Sequence, residues 1–410
     1  MNIWCVSKYV TPPNYGSSPS RLYYLADEFN KLGHNATLIT SDSNQFANFP
    51  NTDKTYNFDK WNFTPIVWLK TYKYSKSASV DRVLSWLDFE RKLFFLDTKK
   101  LSKPDVVIVS SLSIFSIIYG FYLKKRFNAF LVFEIRDIWP LTMTEEGNFS
   151  KYHPLVILIG LIEKFGYKKA DLIVGTMPGL FKHVANILGF NKQVYCSPLG
   201  FDKDSYSDDL QVADNIFTNV FPSNKFVIGY AGSLGITNAL EPFINTVKKL
   251  KNNQEIHFMV IGSGDLKPKF ENELVDCKNI TFLPRTEQKN IKYFLQNCDV
   301  LYLSTKKSKV WDYGQSMNKV VEYMLAGKPI LASYSGFPSM INEAECGWLV
   351  NSADEVILTD TILEISKMSK QQLKTIGKRG KDWIIKNRNY AKLASDYIEI
   401  ISSIQNKRKS

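Results

Sequence analysis

The 410-residue chain has no Cys-x-x-Cys pair, and its five cysteines (Cys5, Cys196, Cys277, Cys298, Cys346) are scattered. This argues against a zinc ribbon or a disulfide framework and fits reduced thiols in a cytosol. His34, His153, His183 and His257 show no metal-ligand spacing. Neither Gly-x-Gly-x-x-Gly nor a Walker loop occurs, so nicotinamide and ATP-hydrolysing chemistry have no motif to rest on. No helix-turn-helix, RNP or zinc-finger pattern occurs either, and nucleic acid is not an expected partner. The first residues lack a basic leader and read as a buried strand rather than a signal peptide. The sequons at Asn35, Asn62, Asn148 and Asn279 therefore carry no expectation of glycosylation. Val106 to Leu123 is uncharged, which just reaches the length of a membrane span. It holds four serines, however, and reads better as a buried strand, a loop and a helix.

What is present is a globular composition, 44% hydrophobic and 22% charged, with a net charge of +12. The charge is uneven. Residues 1–200 hold 24 Lys/Arg against 16 Asp/Glu, residues 201–373 hold 18 against 21, and the remainder holds 10 against 3. An anionic membrane surface attracts such Lys/Arg clusters. Leu155 to Ile162, followed by lysines, reads as an interfacial helix or a core helix.

The length predicts two domains. Short β-branched runs alternate with helical patterns throughout, which predicts doubly wound α/β architecture. The expected strands of the first half are Asn2–Ser7, Ala36–Ser41, Val106–Ser110, Phe130–Ile135, Leu172–Thr176 and Gln193–Cys196. Those of the second half are Phe226–Ala231, Ile256–Ile261, Ile280–Leu283, Val300–Ser304 and Ile330–Ser333. A helix is expected over Ser18–Leu32, ending at Gly33. Boundaries are placed at 1–200, 201–385 and 386–410, the last a helix and basic tail crossing back to the first domain.

The most informative segment is Tyr313-Gly-Gln-Ser-Met-Asn-Lys-Val-Val-Glu-Tyr-Met-Leu-Ala-Gly-Lys-Pro329. Lys319 and Glu322 fall one turn apart on a short helix, so both heads can reach one ligand. A helix start suits a phosphate, to which Lys319 adds a full charge, and Glu322 can accept bonds from a sugar diol. Three further loops follow strands: Gly229 to Gly235, Ile261 to Asp265, and Leu283 to Arg285. Parallel sheets bind ligands at the carboxyl ends of their strands, where all of these lie. In the first half, Arg136 and Asp137 end a buried strand, a costly place for charge unless paired or functional. The Asp202-Lys-Asp204 triplet lies in the inter-domain linker and reads as incidental.

The order of these pieces resembles the retaining GT-B glycosyltransferases of family 4 that act in bacterial O-antigen and capsule assembly. The resemblance rests on Tyr15-Gly-Ser17, Arg136-Asp-Ile-Trp-Pro140, Pro198-Leu-Gly-Phe-Asp202, Tyr230-Ala-Gly-Ser233, Gly262-Ser-Gly264 and Asn318-Lys319 with Glu322 to Pro329. It implies two Rossmann-like parallel-sheet domains facing across a cleft. It also implies transfer, without a metal or other cofactor, of a sugar (an N-acetylated deoxyhexose by the nearest pattern) from a UDP-linked donor. The acceptor is expected to be a polyprenyl-diphosphate-linked saccharide at the inner face of the cell membrane, with the protein cytoplasmic and peripheral.

By the same resemblance Glu322 holds the ribose, while Lys319 and the helix start at Asn318 hold the diphosphate. Gly232, Ser233, Gly262 and Gly264 line the donor, Arg285 lies at the base, and Gly16 and Ser17 approach the phosphates. Arg136 and Asp137 stand near the transferred sugar. Two departures occur. Gly314 replaces an acidic residue, for which Asp312 is the candidate substitute, and Ser233 to Thr237 lacks a cation. Two alternatives stay open: a sugar-nucleotide epimerase of the same architecture, and a non-catalytic nucleotide-sugar-binding scaffold.

Overall fold

The computed structural model describes residues 1–13, 20–44, 50, 52–74, 79–204, 206, 217 and 220–409. The chain divides into two compact units, Met1–Lys203 with Tyr390–Ser410, and Asp204–Asn389.

Unit 1 is built on an eight-stranded sheet: β1 (Asn2–Val6), β2 (Asn35–Ser41), β3 (Tyr56–Trp61), β4 (Thr64–Leu69), β5 (Val106–Ser110), β6 (Phe130–Ile135), β7 (Leu172–Gly175) and β8 (Val194–Cys196). Their order is β3-β4-β2-β1-β5-β6-β7-β8, parallel except for the β3–β4 hairpin. The helices are α1 (Arg21–Lys31), α2 (Val80–Phe94), α3 (Ser116–Phe127), α4 (Leu141–Glu145), α5 (Pro154–Lys169) and α6 (Leu180–Leu188). The central strands are fully buried and, Ser110 and Glu134 apart, apolar on both faces, as covering by helices requires. The last helix of the chain, Tyr390–Lys409, belongs to this unit and packs along α1. Its Tyr390 stacks on Tyr24 with ring centres 4.8 Å apart, and its Tyr397 meets Phe29 edge-on.

Unit 2 holds β9 (Phe226–Ala231), β10 (Ile256–Ile261), β11 (Ile280–Leu283), β12 (Val300–Ser304), β13 (Ile330–Ser333) and β14 (Gly347–Val350). They form an all-parallel sheet in the order β11-β10-β9-β12-β13-β14. The helices are α7 (Glu241–Lys249), α8 (Lys267–Glu273), α9 (Gln288–Asn297), α10 (Asn318–Leu325), α11 (Met340–Glu343), α12 (Glu355–Ser366) and α13 (Lys370–Asn387); the unit 1 helix Tyr390–Lys409 is thus α14. In the core, Phe243 stacks on Tyr302 at 4.5 Å and meets Phe258 edge-on. The strand order reverses between β9 and its neighbours β10 and β12, so the loops after β9, β10 and β12 surround the crevice that open parallel sheets use for ligands.

The structure adds strands to those expected and agrees with the reading of two other segments. The β3–β4 hairpin and β14 were not expected as strands, and both lie at sheet edges. The Val106–Leu123 run is β5, a short turn and most of α3; among the described residues no helix is long and apolar enough to cross a membrane. Leu32 ends α1, with Gly33 just beyond it at φ +84°.

Candidate functional site

The site in unit 2 starts from two glycine loops that fold onto each other. Gly232 N donates to Ile261 O at 3.0 Å, and Leu234 N donates to Ser263 O at 2.9 Å. A Cβ on Gly262 would lie 1.9 Å from the Gly232 carbonyl oxygen, so only glycine allows this approach. Lys267, at the start of α8, donates to the carbonyls of Leu283 (2.8 Å) and Gly262 (3.3 Å). It thereby ties the loops after β10 and β11 together.

Helix α10 begins against these loops. Its N-cap is Met317, which offers no side-chain acceptor, so the first N–H groups are not capped by their own sequence. Val320, Val321, Tyr323 and Met324 are buried, and the Tyr323 hydroxyl bonds both the N–H and the carbonyl of Ala231 at the end of β9. That anchoring leaves Lys319 and Glu322 on the half-buried side.

Lys319 Nζ donates to the Tyr230 hydroxyl at 3.0 Å and to Asn238 Oδ1 at 3.2 Å, and lies 4.3 Å from the Tyr230 ring centre. The Tyr230 hydroxyl in turn donates to Ser233 O at 2.7 Å. Burial lowers the Lys319 ammonium to about 8, against the opposing pull of Glu322. Burial raises the Glu322 carboxyl, which Lys319 and a 3.1 Å hydrogen bond from Gln288 Nε2 partly offset. The ammonium thus reaches the Ser233-to-Asn238 loop, which has no cation of its own. A mainly apolar cavity of about 230 Å³ opens beside Glu322, with Tyr206, Gln288, Ile291, Lys292 and Leu325 in its walls.

Gly232, Ser233, Gly262, Gly264, Lys319 and Glu322 are brought together by these contacts. Asn318 is the exposed first residue of α10, and Arg285 is exposed just after β11. Asp312 is exposed on the short turn Lys309–Tyr313, followed by Gly314 at φ +102°. Gly16 and Ser17 lie outside the described residues. Arg136 and Asp137 are in unit 1, half-buried after β6; Arg136 N bonds Ser111 Oγ, and burial raises the Asp137 carboxyl. The ion pair on β6 is a different one: Glu134 Oε2 lies 3.3 Å from Arg21 Nη1, both side chains fully buried. Among the described residues no three His, Cys, Asp or Glu side chains cluster as metal ligands.

Sequence reasoning passed over Tyr230, Asn238 and Gln288 as contacts of Lys319 and Glu322, and Lys267 as the tie between two loops. A tyrosine inside an apolar strand reads as core, and nothing in the spacing of the others points across the sheet. The signal that was available is the adjacency of Tyr230 to the glycine loop.

Residues 225–367 match the family model described as Glycosyl transferases group 1. A shorter stretch is 29% identical over 117 residues to the amylovoran biosynthesis glycosyltransferase AmsK of Erwinia amylovora. That alignment covers 27% of this chain and 28% of AmsK. Among solved structures, the sucrose-phosphate synthase of Thermosynechococcus elongatus is similar at TM-score 0.73 and 15% identity over 99% of both chains. An E. coli trehalose-6-phosphate protein bound with UDP-2-fluoro glucose gives TM-score 0.70 and 12% identity, over 97% of this chain and 98% of that one. HepE of Anabaena in complex with UDP and glucose gives 0.64 and 14%, over 98% and 100%. The chain therefore has the GT-B fold, two Rossmann-like parallel-sheet units, with the match to the glycosyl transferases group 1 model confined to the second unit.

Proposed function

We propose that the protein is a retaining glycosyltransferase that moves a sugar from a nucleotide-sugar, UDP-linked, to a lipid-linked saccharide in surface-polysaccharide assembly. The observation that carries the reading is the convergence of Lys319, Glu322 and the two glycine loops at the carboxyl edge of the unit 2 sheet. In the proposed site the donor diphosphate meets the uncapped start of α10 and the Lys319 ammonium. Lys319, drawn onto the loop that lacks a cation, supplies the charge missing from Ser233 to Thr237. Glu322, braced by Gln288, accepts the ribose hydroxyls. Gly232, Ser233, Gly262 and Gly264 let backbone approach the donor, Arg285 lies near the base, and Arg136 and Asp137 act at the transferred sugar. UDP in the HepE structure and a UDP-sugar analogue in the E. coli structure support the donor class. The name of AmsK supports the polysaccharide setting, an N-acetylated deoxyhexose and a polyprenyl-diphosphate acceptor being the finer expectation. The protein would work at the cytoplasmic face of the inner membrane.

In the proposed step, the sugar C1–O bond to the diphosphate breaks and a C1–O bond to the acceptor hydroxyl forms on the same face. The acceptor proton passes to the leaving diphosphate oxygen. Charge builds on that leaving group, so a fixed ammonium and helix N–H groups lower the barrier where it develops. Transfer from a UDP-sugar, followed in Lys319→Ala and Glu322→Ala, tests the assignment; full activity in both variants would sink it.

A further inference from the structure

Unit 1 carries apolar side chains on the outside of adjacent helices. On α2, Val80, Val83, Leu84 and Leu87 recur at i, i+3, i+4 and i+7 and are all exposed, Val80 at 75% and Leu87 at 53%. The opposite face of the same helix supplies the buried Trp86, Phe89 and Leu93. Helix α2 is thus apolar on both sides, which a water-facing helix is not. On α5, Ile157, Leu158 and Leu161 are 50%, 46% and 62% exposed. Helix α3 packs against both α2 and α5 and bridges them with rings: Phe94 to Tyr122 at 5.6 Å and Phe121 to Phe165 at 5.3 Å. An exposed apolar surface spread over three neighbouring helices marks an interaction site.

On α2 the charge is mixed, with Asp81 exposed beside the stripe, but around α5 it has one sign. Between Gly147 and Lys192 the only carboxylates are Glu163 and Asp171, whose side chains are 2% and 5% exposed. Lys151, Lys164, Lys168, Lys169 and Lys182 of the same stretch are all exposed. Unit 1 holds 29 Lys/Arg against 19 Asp/Glu, whereas unit 2 holds 23 against 21. Apolar residues set among lysines fit the interface of an anionic bilayer, with the chains in the acyl boundary and the ammonium groups at the phosphates.

We infer that the outer faces of α2, α3 and α5 form a docking surface for an anionic lipid bilayer. The inference deepens the proposed function, on which its purpose rests. Each of these helices follows a parallel strand, so its first turns lie at the carboxyl edge of the sheet. The exposed apolar residues of α2 and α5 occupy those first turns, while Lys164, Lys168 and Lys169 sit in the later ones. The bilayer is therefore met by the edge of unit 1 that also carries Arg136 and Asp137, where a lipid-linked acceptor has its reacting end within reach.

The test is sedimentation of the full chain with vesicles of phosphatidylcholine alone or mixed with phosphatidylglycerol. The wild type should pellet with the mixed vesicles and stay in solution with the neutral ones. Replacing Ile157, Leu158 and Leu161 together by Gln should weaken binding about tenfold or more. The double variant Lys164→Gln/Lys168→Gln should weaken it about fivefold per lysine and flatten its salt dependence. Transfer to a water-soluble acceptor should be unchanged in both variants. Equal pelleting of the wild type and the Gln variants would overturn the proposal, as would no pelleting at all. A solution dimer that the Ile157/Leu158/Leu161 variant dissociates would also overturn it, since a second copy would then cover the face. Normal vesicle binding with no sugar transfer would sink the enzymatic reading and leave the docking surface standing.

Discussion

The Lys319 ammonium lies 3.0 Å from the Tyr230 hydroxyl and 4.3 Å from the centre of its ring, so one aromatic side chain both bonds and stacks the cation. Tyr230 is fully buried on β9 and hydrogen-bonded to Ser233 O, which makes it a fixed support for a long, flexible side chain. Lys319→Met should weaken UDP binding by about 2 kcal/mol, roughly 30-fold. Tyr230→Phe keeps the ring and should cost a few-fold at most. Titration calorimetry with UDP distinguishes the two; equal losses would mean that Tyr230 contributes through its hydroxyl alone.

The lowered pKa of Lys319 sets a pH dependence. A base held near 8 is charged below that pH and neutral above it, so the charged form needed by a diphosphate is lost as pH rises through about 8. UDP affinity should be flat below this point and fall above it, by up to about tenfold per pH unit. In Lys319→Met the fall should be absent. A wild-type affinity that stays level to pH 10 would contradict the assignment.

Glu322 and Gln288 predict a ribose signature. Glu322→Ala should bind UDP about tenfold or more weakly, and it should no longer distinguish UDP from 2′,3′-dideoxy-UDP. Gln288→Ala, which removes the 3.1 Å bond that orients the carboxylate, should show a smaller loss of the same kind. Competition binding with the two nucleotides checks both variants.

Gly262→Ala tests the interlocked loops. The added methyl would meet the Gly232 carbonyl oxygen at 1.9 Å, and relief requires the two loops to separate. Loss of UDP binding is expected together with a lower denaturation midpoint. Gly235→Ala is the control, since a Cβ there meets Ser233 Oγ at an ordinary 3.5 Å.

In unit 1, Arg21 pairs with Glu134 and also donates to the carbonyl and hydroxyl of Ser197, all out of contact with water. Arg21→Met leaves a buried carboxylate without its cation and should cost about 3–5 kcal/mol in urea unfolding. Adding Glu134→Leu should recover most of that loss. A double variant as unstable as the single one would show that Ser197, not the charge, is what Arg21 serves.

The sequence carried the parallel architecture well because buried strands hold unbroken apolar runs, such as residues 106–109 and 130–133. The hairpin Tyr56–Trp61 with Thr64–Leu69 escaped notice for the converse reason. Its outer strand alternates polar and aromatic residues, and Pro65 reads as a breaker although it is tolerated beside an edge strand. At the site, spacing along one helix put Lys319 and Glu322 side by side, as in the structure. Contacts across the sheet, such as Lys319 with Tyr230 and Asn238, depend on register between distant segments. No local pattern encodes that. The outward stripe on α2 was hidden too, because periodicity reports that a helix has apolar faces and not which of them ends up covered.

The return of α14 to unit 1 has a consequence for how the protein is made. Tyr397 and Ile401 complete the unit 1 core alongside Phe29 and Leu25, yet they are synthesised after the whole of unit 2. Unit 2 is continuous from Asp204 to Asn389, so all of its sequence has left the ribosome before unit 1 can close. A nascent chain arrested short of Tyr390 would hold a completed unit 2 and an open unit 1 whose α1 face is bare. A chain terminated just before Tyr390 should therefore aggregate and be proteolysed rather than persist with unit 1 folded.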